Sequence, residues 1–420
     1  MSPQRVARSG SAVNTSVLAS SDQSGERCPV KALPVKALYL SGAPRLSTKP
    51  STESLGPRSH ILGVINGLEH SGVDVERFIV GDAMPEAVHG QGSESRMSGS
   101  RLSIVATDLF RLVSRVRSRF QLQRRVAGSR ADFAYERYAL FQELGSLARR
   151  VTGAVWVLEV NALLAVEATS ERRATTSRAL AEWMEGRTLR RADLIVAVTD
   201  ALAEQLTARY GIPRERILVV ANGVDHTVHR PAEVVAGSGT PRIGFLGTLY
   251  PWQNVSALIE LLASEELGEV HLDIAGDGPV RADLERQVRE LGLADRVTFR
   301  GRVHPDDVPA FLADVDLCFA GHSSANGSYF SPLKLWEYLA AGKPVVASRH
   351  DVTADLQRGG YPVVCYDSSG EEDLRSVLTR SVRSLPELSR LAADRQRDVW
   401  AEHSWARRVE TIVTSVKETV

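Results

Sequence analysis

The sequence predicts an α/β protein of two Rossmann-like, doubly wound domains that face each other across a cleft. Three observations carry this. The chain has 420 residues, too long for one ordinary domain and enough for two. Short apolar runs alternate with stretches of helical spacing, the pattern of a mostly parallel sheet covered by helices on both faces. The alternation stops at Asn222-Gly-Val-Asp225 and the Pro-, Gly- and Ser-containing stretch 231–240, then starts again.

In order, residues 1–33 are rich in Ser, Gln, Arg and Gly, lack periodicity and read as a flexible tail. A first domain, 34–228, opens with a buried strand at 35–40. A polar loop over 41–56 leads into a helix with Ile61, Val64, Ile65 and Leu68 on one face. A strand is expected at 75–80 and a surface loop over 83–101. Residues 111–130 hold seven arginines among Leu112, Val113, Val116, Phe120, Leu122 and Val126. They read as a core-packing helix with a solvated basic face, or as a surface that touches anionic lipid. Strands follow at 154–160, 193–198 and 216–220. The second domain, 229–398, has strands at 242–246, 270–275, 297–300, 315–320, 344–347 and 361–364. Its helix 283–291 turns Leu284, Val288 and Leu291 to one side. Residues 399–420 form a closing amphipathic helix through Trp405, Val409, Ile412 and Val416.

Composition excludes several classes. Fifty-one basic residues balance 51 acidic ones, which argues against a general nucleic-acid binder. Cys28, Cys318 and Cys365 form neither a disulfide framework nor a metal-ligand spacing. No apolar run of membrane-spanning length and no signal-peptide pattern is evident. A reducing cytoplasm fits, with a peripheral place at the inner membrane surface as an extension. Arginine supplies 45 of the basic residues, a composition expected of a GC-rich bacterial genome.

The most informative stretch runs from Asn326 to Ser348. Ser331 is expected to cap a helix, with Pro332 at its first position, where the missing N–H costs nothing. The next amides belong to Leu333 and Lys334. A helix amino end with a nearby ammonium suits a phosphate. Glu337 lies one turn on, where its carboxylate can accept hydrogen bonds from two sugar hydroxyls. Diphosphate at the tip and ribose one turn in is the geometry a sugar nucleotide needs. Gly342 ends the helix before a strand. Lysine occurs at only six positions, and Lys334 and Lys343 are two of them.

Two Gly-containing turns precede this helix, each after an apolar strand. Gly247 and Thr248 follow the first; Gly276 and Gly278 lie in the second. The third position of a dinucleotide fingerprint falls on Arg281, which speaks against a nicotinamide cofactor.

These turns, Val297-Thr-Phe-Arg-Gly-Arg-Val303, Asp314-Val-Asp316, Ser331-Pro-Leu-Lys-Leu-Trp-Glu337 and Pro344-Val-Val-Ala347 together resemble the family 4 retaining glycosyltransferases, which have the GT-B fold. The match is dense over 190–350 and looser over 35–190, through Gly56-Pro-Arg-Ser-His60, Tyr135-Glu-Arg137 and Leu158-Glu-Val-Asn161. Asn222-Gly-Val-Asp225 is similar to the family's interdomain junction, and the last helix to the one that crosses back to the first domain.

The resemblance implies transfer of a sugar from a nucleoside diphosphate, expected to be UDP, to a hydroxyl of a glycan or small secondary metabolite. It implies no metal or other cofactor. Glu337 would hold the ribose, Leu333 and Lys334 the diphosphate, with Gly247 below and Arg302, Val303 and His304 at the base. Ser331, Pro332 and Tyr329 join the donor set. Glu159 and Asn161 stand where the family's catalytic strand end falls; each also reads as a buried, hydrogen-bonded polar residue. Arg58, His60, Glu136 and Arg137 are expected on the acceptor side.

The sequence departs from the family at Tyr329, where a Glu is common, and in Thr248-Leu-Tyr-Pro-Trp-Gln253, which lacks the usual basic residues. Two other readings stay open: a GT-B-type epimerase that needs no acceptor, and an inactive nucleotide-binding partner subunit.

Overall fold

A computed structural model describes residues 35–49, 56–85, 101–170, 175, 177–225, 239–323, 331–367 and 371–419. The tail expected over 1–33, most of the 83–101 loop, and Tyr329 lie outside these residues.

Among the described residues, twelve strands form two six-stranded sheets, every pairing parallel. The first has the order β2 (Asp74–Ile79), β1 (Lys36–Ser41), β3 (Phe133–Arg137), β4 (Val155–Val160), β5 (Leu194–Ala197), β6 (Ile217–Val219). The second has the order β12 (Val363–Tyr366), β11 (Val345–Ser348), β10 (Leu317–Ala320), β7 (Arg242–Leu246), β8 (His271–Ala275), β9 (Val297–Gly301). Central strands such as Val-Trp-Val-Leu-Glu-Val are almost wholly buried, because helices cover both faces. In each sheet the chain starts on an inner strand, runs out to one edge and returns on the other side of that first strand. That leaves a switch point between β1 and β3 and another between β7 and β10, where open α/β sheets bind ligands at their carboxyl ends. The expected fold class holds.

Three local expectations change. Residues 133–137 form β3, a strand the apolar pattern did not reveal. Phe133 and Tyr135 enter one core and Ala134 another, while Glu136 and Arg137 disguise the run. Residues 111–126 of the 111–130 stretch belong to a longer helix preceding β3 (Arg101–Val126), and 127–130 follow it as a turn. That helix buries Ser114, Ser118, Leu122 and Val126 and exposes Val113, Val116 and Phe120, so a core-packing apolar face is only half of what it shows. The closing segment is two helices rather than one. Leu385–His403 packs in the second lobe, Ser404 breaks the run, and Trp405–Thr419 packs on the first.

With the others numbered in order, the helices are α1 (Gly56–His70), α2 (Arg101–Val126), α3 (Gly145–Thr152), α4 (Leu164–Ser170), α5 (Arg178–Arg191), α6 (Asp200–Tyr210), α7 (Val255–Leu262), α8 (Arg281–Glu290), α9 (Val308–Ala313), α10 (Leu333–Ala340), α11 (Asp351–Arg358), α12 (Glu371–Arg383), α13 (Leu385–His403) and α14 (Trp405–Thr419). Among the described residues, no helix is long and apolar enough to cross a membrane.

The second crossing between lobes is built on glycine. Trp405 lies against Gly63 and Gly67 of α1, and a Cβ on Gly63 would collide with its indole. Trp405, Val409, Ile412 and Val416 then share a core with Ile61, Val64, Ile65 and Leu68. Replacing Gly63 by Ala therefore overpacks the seam at a cost of about 1–3 kcal/mol. The expected outcome is a lower thermal unfolding midpoint, partly restored by a second substitution, Trp405→Phe.

Candidate active site

Helix α10 is the centre of the site. Its sequence, Leu-Lys-Leu-Trp-Glu-Tyr-Leu-Ala, buries Leu335, Trp336, Tyr338, Leu339 and Ala340 and leaves Lys334 and Glu337 only partly buried. Tyr338 fixes its pose: the hydroxyl accepts from the Leu246 amide at the end of β7 (2.7 Å) and lies 3.5 Å from the Phe319 carbonyl in β10. The helix is thereby held to both strands of the switch point. Its amino end differs from expectation. Leu335 N–H bonds to the Pro332 carbonyl, and the Ser331 side chain does not cap the helix. Pro332 has an extended backbone and takes the cap position, while the Ser331 hydroxyl is 3.3 Å from the Asn222 amide. The Leu333 and Lys334 amides have no carbonyl within the helix to pair with.

The Lys334 ammonium donates to Gln253 Oε1 (2.6 Å) and lies 4.0 Å from the Phe245 ring centroid. Burial pushes its pKa down to about 7, against the pull of the Glu337 carboxylate. Gly247 makes room for it: the backbone there has φ of 137°, and a Cβ would sit 3.2 Å from Nζ. Gln253, Ala320, Gly321, His322, Pro332, Lys334 and His350 line a shallow depression at the amino end of α10. Its lining of one ammonium and two imidazoles suits a charged group rather than an apolar one. Burial, then His322, pushes the His350 imidazole down to about 4, and its Nδ1 finds no hydrogen-bond partner among the described residues.

The second turn supports the first. A Cβ on Gly276 or Gly278 would run into the backbone of Gly247 or Leu249, and Leu249 N–H bonds to the Asp277 carbonyl (3.0 Å). These glycines serve the approach of two loops. Arg302 reaches Asp277 (3.4 Å), Val303 packs against the core, and the His304 ring accepts from the Asp306 amide (3.3 Å). Thr248 follows Gly247 on the same loop.

The first lobe brings its own polar set to the other switch point. His60 of α1 pairs through Nε2 with Glu159 Oε1 at the end of β4, and both side chains are buried. Burial drives the imidazole pKa down, against Glu159 and Asn222. Burial raises the Glu159 carboxyl, but His60, Arg137 and Asn161 outweigh it and hold it low. The pair is therefore a neutral imidazole donating to a carboxylate. Tyr39 and Ser41 hydroxyls, Arg137 Nη1 and Glu159 Oε2 have no hydrogen-bond partner among the described residues. Buried polar groups require one, so this floor can receive hydroxyls.

Glu136 does not join them. It faces the opposite side of the sheet and accepts from the Leu144 and Gly145 amides (2.7 and 2.8 Å) at the start of α3. Burial pushes its carboxyl up to about 7, with those amides opposing. It caps a helix rather than meeting an acceptor. Arg58 bonds to the Lys49 carbonyl (3.1 Å) and pins the loop after β1.

The two polar sets are joined at the junction. Asn222 Nδ2 donates to the Ser331 carbonyl (2.5 Å), one residue before the Pro332 cap, and its side chain also meets His60. The Val224 amide donates to the His403 carbonyl (3.0 Å) and its carbonyl accepts from the Trp405 amide (2.9 Å), spanning Ser404, and Asp225 accepts from Asn66 Nδ2 (2.9 Å). Sequence reasoning missed Gln253, His322 and His350, which lie far apart in the chain and match no motif. Among the described residues, no group of three or more His, Cys, Asp or Glu is placed to hold a metal ion.

Residues 56–223 match the family described as glycosyl transferase 4-like domain, and residues 240–379 the one described as glycosyl transferases group 1. A 2-deoxystreptamine glucosyltransferase of Streptomyces kanamyceticus is 31% identical over 48% of this chain and 55% of its own. A D-inositol 3-phosphate glycosyltransferase of Rhodococcus opacus is 29% identical over 68% of this chain and 67% of its own. The chain thus spans about half to two thirds of those relatives. Among solved structures, Anabaena HepE in complex with UDP and glucose superposes with a TM-score of 0.63 at 17% identity, over 91% of this chain and 100% of that one. The sucrose-phosphate synthase of Thermosynechococcus elongatus gives 0.65 at 16%, over 92% and 100%. The first family match ends within the Asn222–Asp225 junction and the second begins beyond it, and between them they take in both switch-point sites: the chain belongs to the family 4-like glycosyltransferases of GT-B fold.

Proposed function

We propose that this glycosyltransferase retains configuration and moves a sugar from a UDP-sugar to a hydroxyl of a glycan or small secondary metabolite. The observation that carries the reading is the placement of Lys334 and Glu337 at the amino end of α10, beside Gly247, at the β7/β10 switch point. UDP is favoured because HepE was solved with UDP and glucose. A small acceptor is favoured because the relatives' names give 2-deoxystreptamine and D-inositol 3-phosphate.

In this reading the C1–O bond to the diphosphate breaks as an acceptor oxygen attacks C1 from the same face. The acceptor proton passes to the leaving phosphate oxygen, and the sugar crosses an oxocarbenium-like transition state. Lys334 and the Leu333 and Lys334 amides stabilise the departing charge, preorganised where water would have to reorient. Glu337 holds the ribose. Glu159 and Arg137, with the hydroxyls of Tyr39 and Ser41, orient the acceptor; His60 keeps Glu159 ionised from below. The enzyme works in the cytoplasm, at an anionic membrane surface reached through the 111–130 stretch.

The test is a screen of nucleotide sugars with purified protein, reading UDP released with and without acceptors. Acceptor-dependent release is expected; release without any acceptor selects the epimerase reading, and no turnover with retained UDP binding selects an inactive subunit. Lys334→Ala and Glu337→Ala each remove a charge-assisted contact and lower kcat/KM by about 10- to 150-fold.

The Lys334 ammonium adds a pH signature. An anion bound beside it raises its pKa above the free value of about 7. The favourable coupling is complete below that value and is lost as pH rises through it toward the bound-state pKa. Calorimetry should find weaker donor binding at pH 8.5 than at pH 6, with proton uptake on binding; Lys334→Ala should flatten both.

Because the ammonium and amides carry the neutralisation, the reaction is expected to run without a metal. Turnover after exhaustive EDTA treatment should match the untreated rate; loss restored by a divalent cation refutes this.

A further inference from the structure

Helix α2 turns an apolar stripe outward. Val105, Leu109, Val113, Val116 and Phe120 recur every three or four residues, so they share one face, and all are exposed, Val116 at 70%. Single exposed apolar residues are ordinary; a contiguous stripe marks an interaction surface. Beside it Arg117 has no acidic partner among the described residues, and the Arg124 guanidinium lies 4.2 Å from the Phe120 ring centroid. Arg111, Arg115 and Arg119 instead turn inward, to Asp108, Glu143 and Ser146. Met184 of the neighbouring α5 and Leu112 of α2 pack on the same small cluster of Phe141, Ala165 and Ala181. It adds exposed Leu180 and Trp183, the latter under the Arg187 guanidinium at 5.6 Å.

We propose that this outer face of α2, with Leu180 and Trp183 of α5, docks on an anionic lipid bilayer. The inference deepens the membrane placement proposed above and does not depend on the donor chemistry. Aliphatic residues with an indole and flanking arginines are what the headgroup boundary of an anionic leaflet receives. A second copy fits poorly. The sole acidic residue of α2, Asp108, is engaged inward, so a two-fold contact would set Arg117 and Arg124 among like charges with no counter-charge. The preceding segment 86–100 offers only Ala87, Val88 and Met97 as apolar cover.

The pose has a direction. Gln142, beyond the carboxyl end of β3, donates to the Arg111 carbonyl (3.1 Å), so residues 101–110 continue past the strand ends. Docking on this face turns toward lipid the sheet face that carries Ala134 and Glu136, the one opposite Arg137 and Glu159.

The experiment is flotation of the full chain with phosphatidylcholine vesicles, with and without phosphatidylglycerol. Binding is expected to the anionic vesicles only, and to weaken with salt. Arg117→Gln with Arg124→Gln should lower partitioning about 25-fold, at about five-fold per arginine. Val116→Glu with Phe120→Glu should abolish it, with the thermal unfolding midpoint unchanged, since both side chains are exposed. A wild-type chain that does not float overturns the membrane placement and this surface together. Floating undiminished in the Val116→Glu, Phe120→Glu variant overturns this surface and the route through 111–130, and leaves only membrane binding by another face. A dimer that Val116→Glu disperses, with no vesicle binding, shows self-contact and also overturns it.

Discussion

The half-buried ammonium of Lys334 is the constraint around which the second lobe is arranged. Taking a lysine head out of water is unfavourable, and the chain offsets this only in part, with Gln253, the face of Phe245 and the carboxylate of Glu337. Such an arrangement stabilises nothing by itself. It does hold a cation where an anion can complete it. Gly247 leaves the space, Gly276 and Gly278 let the next loop brace that turn, and Tyr338 locks α10 to β7 and β10. Each feature sets the ammonium's position or its surroundings.

The first lobe repeats the plan with the sign reversed. A carboxylate, Glu159, is held ionised beneath the cleft by a neutral imidazole and by Arg137. A cation on one floor and an anion on the other match a reaction in which negative charge leaves one side and a hydroxyl approaches from the other. Asn222 touches both, through His60 and through the residue before the α10 cap. The spacing of the two floors is thus set by short polar contacts at the junction.

The fold was legible because parallel strands covered on both faces must be continuously apolar; β4, β7 and β10 advertise themselves. β3 did not, because Glu136 and Arg137 carry helix-capping and cleft-facing duties inside a five-residue strand. The α10 site was readable for the opposite reason: its parts are consecutive, so one turn of helix fixes their geometry. Gln253, His322 and His350 reach the same pocket from three separate loops, and no local pattern links them. His60 was placed on the acceptor side by the family resemblance, and its pairing with Glu159 was not visible. Its burial depends on Trp405, hundreds of residues later, whose indole meets it edge-on at 4.8 Å. In 111–130 the arginine count was visible, but only the sheet's position decides which face turns in.

The polypeptide passes between lobes twice, at Asn222–Asp225 and at His403–Trp405, and the two passages are stitched together by the bonds around Val224 and Ser404. Two adjacent covalent links behave as paired pins on one edge. They permit a swing about a single line and resist sliding or free twisting. Any movement of one lobe against the other is therefore confined to one track, and a return along it brings the same atoms of the two floors back into register.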